Sequence, residues 1–196
     1  MRLILVRHGE TIHNLKGIIQ GQYDSILSDT GREQAKKVAK RLKDEKIDLI
    51  FSSDLQRAHI TAKEINKFHD IEIILDKRLR EQGRGIYENK KRGPLLEEIK
   101  RLDIEYREFK PKGGESWYDL QQRTYEFFEE LKKLKIDNIL VTFHGGPMTA
   151  IILKLLNESE DEFKKYHPKN TAITIFDLND KINPKLELLN CTKHLE

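Results

Sequence analysis

Short continuous apolar runs alternate along the chain with stretches in which apolar residues recur every three or four positions. Leu3-Ile4-Leu5-Val6 is unbroken aliphatic sequence, the pattern of a strand buried on both faces of a parallel sheet. Ala35, Val38, Ala39 and Leu42 share one helical face, and Lys36, Lys37, Lys40, Arg41 and Lys43 cover the rest. Residues 47–51 read as a second strand. Leu55, Ala58, Ala62 and Ile65 mark a second helix, and residues 71–75 a third strand. From Ser116 a long helix carries Trp117, Leu120, Thr124, Phe127, Phe128, Leu131 and Leu134 on one face. Residues 138–143 form a fourth strand, 148–156 a buried helix behind Pro147, and 159–166 a short charged helix. Residues 172–178 and 186–191 close the chain as antiparallel strands, joined by a short turn with Asn179, Asp180 and Pro184. Strand–helix alternation predicts an α/β fold: a three-layer α/β/α sandwich, its central sheet mostly parallel with an antiparallel edge strand.

Local signals set the boundaries. Thr30-Gly31-Arg32-Glu33 has the form of a capping box, and Ser53 or Asp54 can cap the following helix. Residues 12–28, with Gly17 and Gly21 and no sustained period, read as a loop over the end of the first strand. From Gln82 to Glu115 the pattern is irregular and charged, with Pro94 opening a helix around Leu95, Leu96, Ile99 and Leu102. The expectation is one domain, residues 1–196, with a lid or cap segment at about 84–115.

Composition narrows the class of protein. The 196 residues are 37% hydrophobic and 35% charged, enough for one substantial core under a charged surface. Lys and Arg number 36 against 33 Asp and Glu, a net charge of +3. That balance lacks the clustered basic footprint of a nucleic-acid binder. Cys191 is the only cysteine, which excludes an intrachain disulfide and a cysteine metal cluster. No apolar run approaches membrane-spanning length, and the four apolar residues before Arg7 fall short of a signal-peptide core. A cytoplasmic location is the expectation, with no membrane or nucleic-acid partner.

The first strand ends at Arg7-His8-Gly9, and the fourth ends at His144-Gly145-Gly146. In open α/β sheets such strand ends are where ligands bind. Arg57 lies in the first turn of its helix, against the helix dipole unless an anion sits beside it. Two arginines and a helix N-terminus suit a phosphate. There is no P-loop pattern, no HExxH pattern and no acidic cluster for magnesium, so neither a metal nor a cofactor is expected. Phosphoryl transfer without a metal needs a protein nucleophile, a charge clamp and a proton donor. His8 can attack through one ring nitrogen if the other donates to a backbone carbonyl, and nearby Arg7 and Arg57 keep it neutral. Glu81 can protonate the leaving oxygen, since a phosphate dianion beside it favours the protonated carboxyl. His144 is expected to donate to the transferring phosphoryl group.

These residues resemble the histidine phosphatase superfamily, in the branch that includes cofactor-dependent phosphoglycerate mutases. The resemblance runs in family order through nearly the whole chain. It comprises Leu5 to Thr11 with Asn14, then Gln20-Gly21, Asp24-Ser25, Leu27, Gly31 and Gln34-Ala35. Ser52 to Leu55 follows with Arg57-Ala58 and Thr61-Ala62, then Leu79-Arg80-Glu81 with Gly85, Gly114-Glu115-Ser116 and His144-Gly145-Gly146. The resemblance implies a phosphohistidine at His8, a phosphate pocket of Arg7, Arg57 and His144, and Glu81 as proton donor and then base for water. It places Asn14, Gln20, Gly21 and Gly145 around the substrate, with no metal.

Departures from the family pattern fall at Ile18, Ile26, Arg84, Asn89 and Phe143. Arg84, where an aromatic is common, is expected to select doubly charged substrates. The implied activity is metal-independent hydrolysis of small phosphate monoesters. A mutase that returns the phosphoryl group to a second hydroxyl is the alternative, and a non-catalytic phospho-ligand binding domain stands behind both. The implied partner is a small phosphorylated metabolite, and a homodimer is left open. His13, His59, His69, His167 and His194 show no ligand spacing and read as solvated or turn-associated. Tyr87 and Lys90-Lys91-Arg92 read as a solvated loop, and Asn170 as a turn residue.

Overall fold

Strand β1 (Arg2–Arg7) pairs in parallel with β4 (Asn138–Phe143), which pairs in parallel with β2 (Leu49–Ser52), and β2 with β3 (Ile73–Leu75). On the other side of β1 lies β5 (Ile173–Asp177), antiparallel to it, and β6 (Lys185–Cys191) is antiparallel to β5. The order across the sheet is β3-β2-β4-β1-β5-β6. The computed structural model describes residues 1–180 and 183–196. The turn expected between β5 and β6 falls partly on 181–182, outside the described residues.

The aliphatic run of β1 feeds both layers, because successive side chains of a strand point to opposite faces. Leu3 and Leu5 pack with Phe127, Phe128 and Leu131 of α5 (Trp117–Leu131) and with Ile151 and Ile152 of α6 (Gly145–Leu156). Ile4 and Val6 pack with Val38, Ala39 and Leu42 of α2 (Asp29–Leu42) and with Ala62 and Ile65 of α3 (Gln56–Asn66). This is the three-layer α/β/α arrangement, with the antiparallel pairing at one side of a mostly parallel sheet.

Between β3 and α5 the chain leaves the sandwich. Helix α4 (Gly93–Leu102) brings Leu95 and Ile99 against Tyr87 and Phe109, a small apolar cluster joined by Ile19 and Tyr106. This segment leaves and returns through a narrow neck. Glu115 N donates to Gly83 O at 2.8 Å, Gly83 N to Glu115 Oε2 at 2.8 Å, and Gln82 Nε2 to Glu115 O at 2.8 Å. A Cβ on Gly85 would run into the carbonyl of Lys112, so the neck requires glycine there.

Some element ends differ from the sequence reading. Residues 12–28 are not all loop: α1 (Ile12–Lys16) forms one short helix, capped by Thr11 with Asn14 and stopped at Gly17. Five residues are too few to display a helical period. Helix α2 starts two residues earlier than the Thr30 box suggests. Ser28 is its cap, because its hydroxyl accepts from Gly31 N and also reaches Glu10 Oε1 at 2.8 Å. Neither Ser53 nor Asp54 caps α3, whose N-cap is Leu55. Asp54 is taken by Arg80, Ser53 Oγ meets His144 Nε2, and Gln56 N finds Asp24 instead. Helix α6 begins at Gly145, which makes Pro147 its third residue rather than its first. The 159–166 segment is a single 3₁₀ turn, Glu160–Glu162, followed by α7 (Phe163–Tyr166).

Candidate active site

The register of the sheet brings the chemistry together. Arg7 lies opposite Phe143, and His8 N donates to Phe143 O at 3.0 Å, so His8 and His144 leave adjacent parallel strands side by side. Their ring centroids are 5.1 Å apart. Ser53 follows β2 beside them, with Ser53 N donating to Thr142 O at 3.0 Å. From the turn before β5, Thr171 N donates to the carbonyls of Arg7 and His8.

His8 is only 2% exposed. Its Nδ1 lies 2.6 Å from Gly9 O, and a carbonyl can only accept, so Nδ1 carries the proton and Nε2 keeps its lone pair. Burial, then the charges of Arg57 and Arg7, hold His8 well below its ordinary value of 6.5. Burial and Arg57 do the same to His144. Both rings are therefore neutral at neutral pH.

This predicts a pH dependence of stability. Below about 6.5 the unfolded chain binds protons that the folded chain refuses, so stability falls as pH drops through that value. Denaturant midpoints measured from pH 8 to pH 5 check the sign. A midpoint that rises toward acid contradicts the burial of neutral histidines.

Arg57 is fully buried at the start of α3. One guanidinium nitrogen donates to Gly21 O at 2.8 Å, another to Tyr23 O at 3.0 Å, and Nε to His144 Nδ1 at 3.2 Å. Burial lowers its pKa to about 10, with Glu81 and Asp24 pulling the other way, so it stays a cation. Because His144 accepts at Nδ1, its Nε2 donates to Ser53 Oγ at 2.9 Å. Both ring nitrogens of His144 are thus engaged by protein in this structure. Arg7 differs from Arg57. It donates to Pro168 O at 2.6 Å, and its buried Nε has no protein partner. A buried, unpaired guanidinium N–H is costly unless an anion takes it.

Glu81 reaches in from the segment after β3. Its carboxylate accepts from Gln82 N at 2.8 Å and from Gly146 N, in the first turn of α6, at 3.1 Å. A Cβ on Gly146 would collide with that carboxylate, so glycine there makes room for the acid. Thr11 Oγ1 donates to Gln20 Oε1 at 2.9 Å, and Asn14 Oδ1 accepts from Thr11 N at 3.1 Å. Asn14 and Gln20 thus line the turn after His8, and Gly21 contributes its carbonyl to Arg57. Gly145 is buried at the start of α6. Arg84 stands apart in the excursion, its guanidinium 5.2 Å from the Tyr106 ring centroid.

Three residues outside the expected set, His167, Asn170 and Arg123, also lie near the site. His167 lines the open side of the site. A Cβ on Gly145 would lie 2.5 Å from its Cε1, its ring stacks on Phe163 at 5.0 Å, and Thr149 Oγ1 is 3.1 Å from Nδ1. One side of the residue is open to solvent, and desolvation of its ring, with the charge of Arg7, lowers its pKa to about 4. Nothing in its sequence context marks it. Asn170 Nδ2 donates to His8 O at 3.0 Å rather than serving only a turn. Arg123 of α5 donates to Glu81 O at 3.0 Å. It stands three residues after Leu120 and four before Phe127, half-buried at the edge of the buried stripe of α5. Surface grooves along Tyr118 and Tyr125, and between Arg32 and Glu64, lie elsewhere and are lined by no histidine.

Comparison with known proteins agrees with this arrangement. Residues 3–192 match the histidine phosphatase superfamily (branch 1). Phosphoserine phosphatase 1 of Hydrogenobacter thermophilus is 33% identical, over 100% of this chain and 94% of that protein. Phosphoglycerate mutase-like protein 4 of Arabidopsis thaliana is 34% identical, over 99% and 86%. The structure of a phosphoserine phosphatase mutant from Entamoeba histolytica in complex with phosphoserine superposes with a TM-score of 0.85 at 33% identity, covering 100% of this chain and 99% of that one. By its sequence, its sheet and the residues gathered at one edge of that sheet, the chain belongs to the histidine phosphatase superfamily.

Proposed function

We propose that the chain is a phosphoric monoester hydrolase that cleaves small phosphate monoesters through a phosphohistidine on His8. The observation that carries this reading is the unspent, buried Nε–H of Arg7 beside a histidine whose free lone pair is at Nε2. The ester's phosphoryl group lies between Arg7 and Arg57, where bidentate donors neutralise its charge. Nε2 of His8 attacks phosphorus as the bond to the leaving oxygen breaks, and Glu81 gives that oxygen its proton. Water then attacks phosphorus, Glu81 takes the water's proton, and the bond to Nε2 breaks to release inorganic phosphate. An anion that draws the Nε–H of Arg57 toward itself frees Nδ1 of His144. His144 can then bind a proton and donate to the phosphoryl oxygens.

In this reading Asn14, Gln20, Gly21 and Gly145 shape the floor of the pocket. Residues 84–115 serve as a cap over a single domain, and Arg84 acts from that cap on the far end of the substrate. The substrate is a soluble phosphorylated metabolite, met in the cytoplasm with no nucleic-acid or membrane partner. No helix among the described residues is long and apolar enough to cross a membrane. A panel that includes phosphoserine, 3-phosphoglycerate and fructose 2,6-bisphosphate tests the reading, scored for released phosphate and for isomerised product. Release without isomerisation is expected. Isomerised product makes the chain a mutase, and binding without turnover makes it a binding module.

A further inference from the structure

The guanidinium of Arg123 spends all five of its N–H donors on protein. Nε donates to Glu115 Oε1 at 2.7 Å. One terminal nitrogen donates to Arg78 O at 2.8 Å and Arg80 O at 2.7 Å. The other donates to Glu81 O at 3.0 Å and Glu115 Oε2 at 2.8 Å. Three of these bonds fall on carbonyls just before and at Glu81. Beyond the single turn Lys77–Leu79, that segment has no helix or strand of its own to satisfy them. Glu115 grips the other side, accepting from Gly83 N at 2.8 Å through Oε2. Burial alone raises the pKa of Glu115, but the bond and charge of Arg123 outweigh it and hold the carboxylate below its ordinary range. Both partners are charged at neutral pH, and both side chains are largely buried, at 16% and 22% exposure.

The geometry points to Arg123 and Glu115 as a positioning pair for Glu81: together they clamp the backbone on both sides of the acid and aim its carboxyl at the leaving oxygen. The proposal rests on the reading of Glu81 as acid and base given above. Neither partner touches the reacting atoms. A proton donor loses most of its effect when displaced by a fraction of an ångström, because transfer requires hydrogen-bond contact. A pair that merely fastens α5 to the sheet would slow every substrate alike. A pair that aims the acid slows only substrates whose leaving group needs a proton.

The test is kcat/KM for 4-nitrophenyl phosphate, phenyl phosphate and n-butyl phosphate, a ratio that reports only steps up to phosphoryl transfer to His8. Arg123→Lys keeps the charge but cannot span five acceptor atoms, and Glu115→Gln keeps the shape but weakens the grip. Each is expected to lower kcat/KM for butyl phosphate about 10- to 100-fold, and for 4-nitrophenyl phosphate by less than about threefold. Adding Arg123→Lys to Glu81→Gln should cost butyl phosphate turnover little more, since an acid already removed cannot be misaimed. Arg2→Ala, which breaks the Arg2 contacts to Glu45 and Glu187 at the far end of β1, controls for destabilisation without a change in the substrate ratio.

Equal losses on all three substrates, or full additivity in the double variant, overturn the proposal. If Glu81→Gln itself leaves the substrate ratio unchanged, the acid role falls, and the pair with it. If Glu81→Gln changes the ratio and the pair's variants do not, the pair alone falls. Should Arg123→Lys fail to fold, Glu115→Gln carries the test by itself.

Discussion

His8→Ala is expected to abolish phosphate release from every substrate while leaving the fold in place. Removal of a covalent nucleophile costs at least about 10⁴-fold in kcat, because no other group can form the intermediate. His8 sits in a fully built pocket, so the variant leaves a small cavity rather than an exposed core. It also removes a buried imidazole that resists protonation, which should flatten the fall of stability toward acid. Arg7 and Arg57 remain, so inorganic phosphate should still raise the melting temperature of the variant by mass action. Phosphate release at wild-type rates would sink the phosphohistidine mechanism. A melting profile that no longer responds to phosphate would mean instead that the pocket had collapsed.

Glu81→Gln should divide substrates by their leaving groups. Glutamine keeps the acceptor facing Gly146 N but has no proton to give as an acid. Alkyl phosphates should lose about 10²- to 10⁴-fold in kcat/KM. Aryl phosphates, whose phenolates leave unaided, should lose far less. The variant also lacks the base for the second step, so phosphorylated His8 should accumulate. With 4-nitrophenyl phosphate that appears as a burst of nitrophenolate approaching one equivalent of enzyme, followed by slow turnover. Uniform losses without a burst would assign proton transfer to another group.

Much of the frame is legible in the chain because continuous aliphatic runs stop at charged residues. Arg7-His8 and His144 are visible for that reason, and the parallel register then sets them side by side. Arg57 was visible as a cation where a helix dipole disfavours one, and the structure shows it buried at that end with its charge turned into the site. The misses have one physical origin, the bond made between distant segments. Gln56 N is capped by Asp24, Asp54 is claimed by Arg80, and Ser53 by His144. A local capping rule cannot foresee those partners. The bond from Arg57 to Nδ1 of His144 depends on a side-chain orientation that sequence does not carry. The nearness of His167 to Gly145 depends on the meeting of two distant segments, which its exposed sequence context does not mark. Asn14, Gln20 and Gly21 entered through family resemblance, since nothing in their spacing distinguishes them from ordinary turn residues.

The neck formed by Gly83 and Glu115 makes the excursion between them a replaceable part. Its two ends meet across the three hydrogen bonds among Gln82, Gly83 and Glu115. Away from Glu88, Asn89 and Lys90, which hold Gln22 and Ile19, the intervening residues can be lengthened, shortened or exchanged while the strand ends, the arginines and the acid keep their places. A lineage can change what it dephosphorylates by rewriting those residues and leave the bond-breaking apparatus untouched. An engineer can graft a relative's segment at the same two points, retaining Glu115, to transplant a preference between substrates.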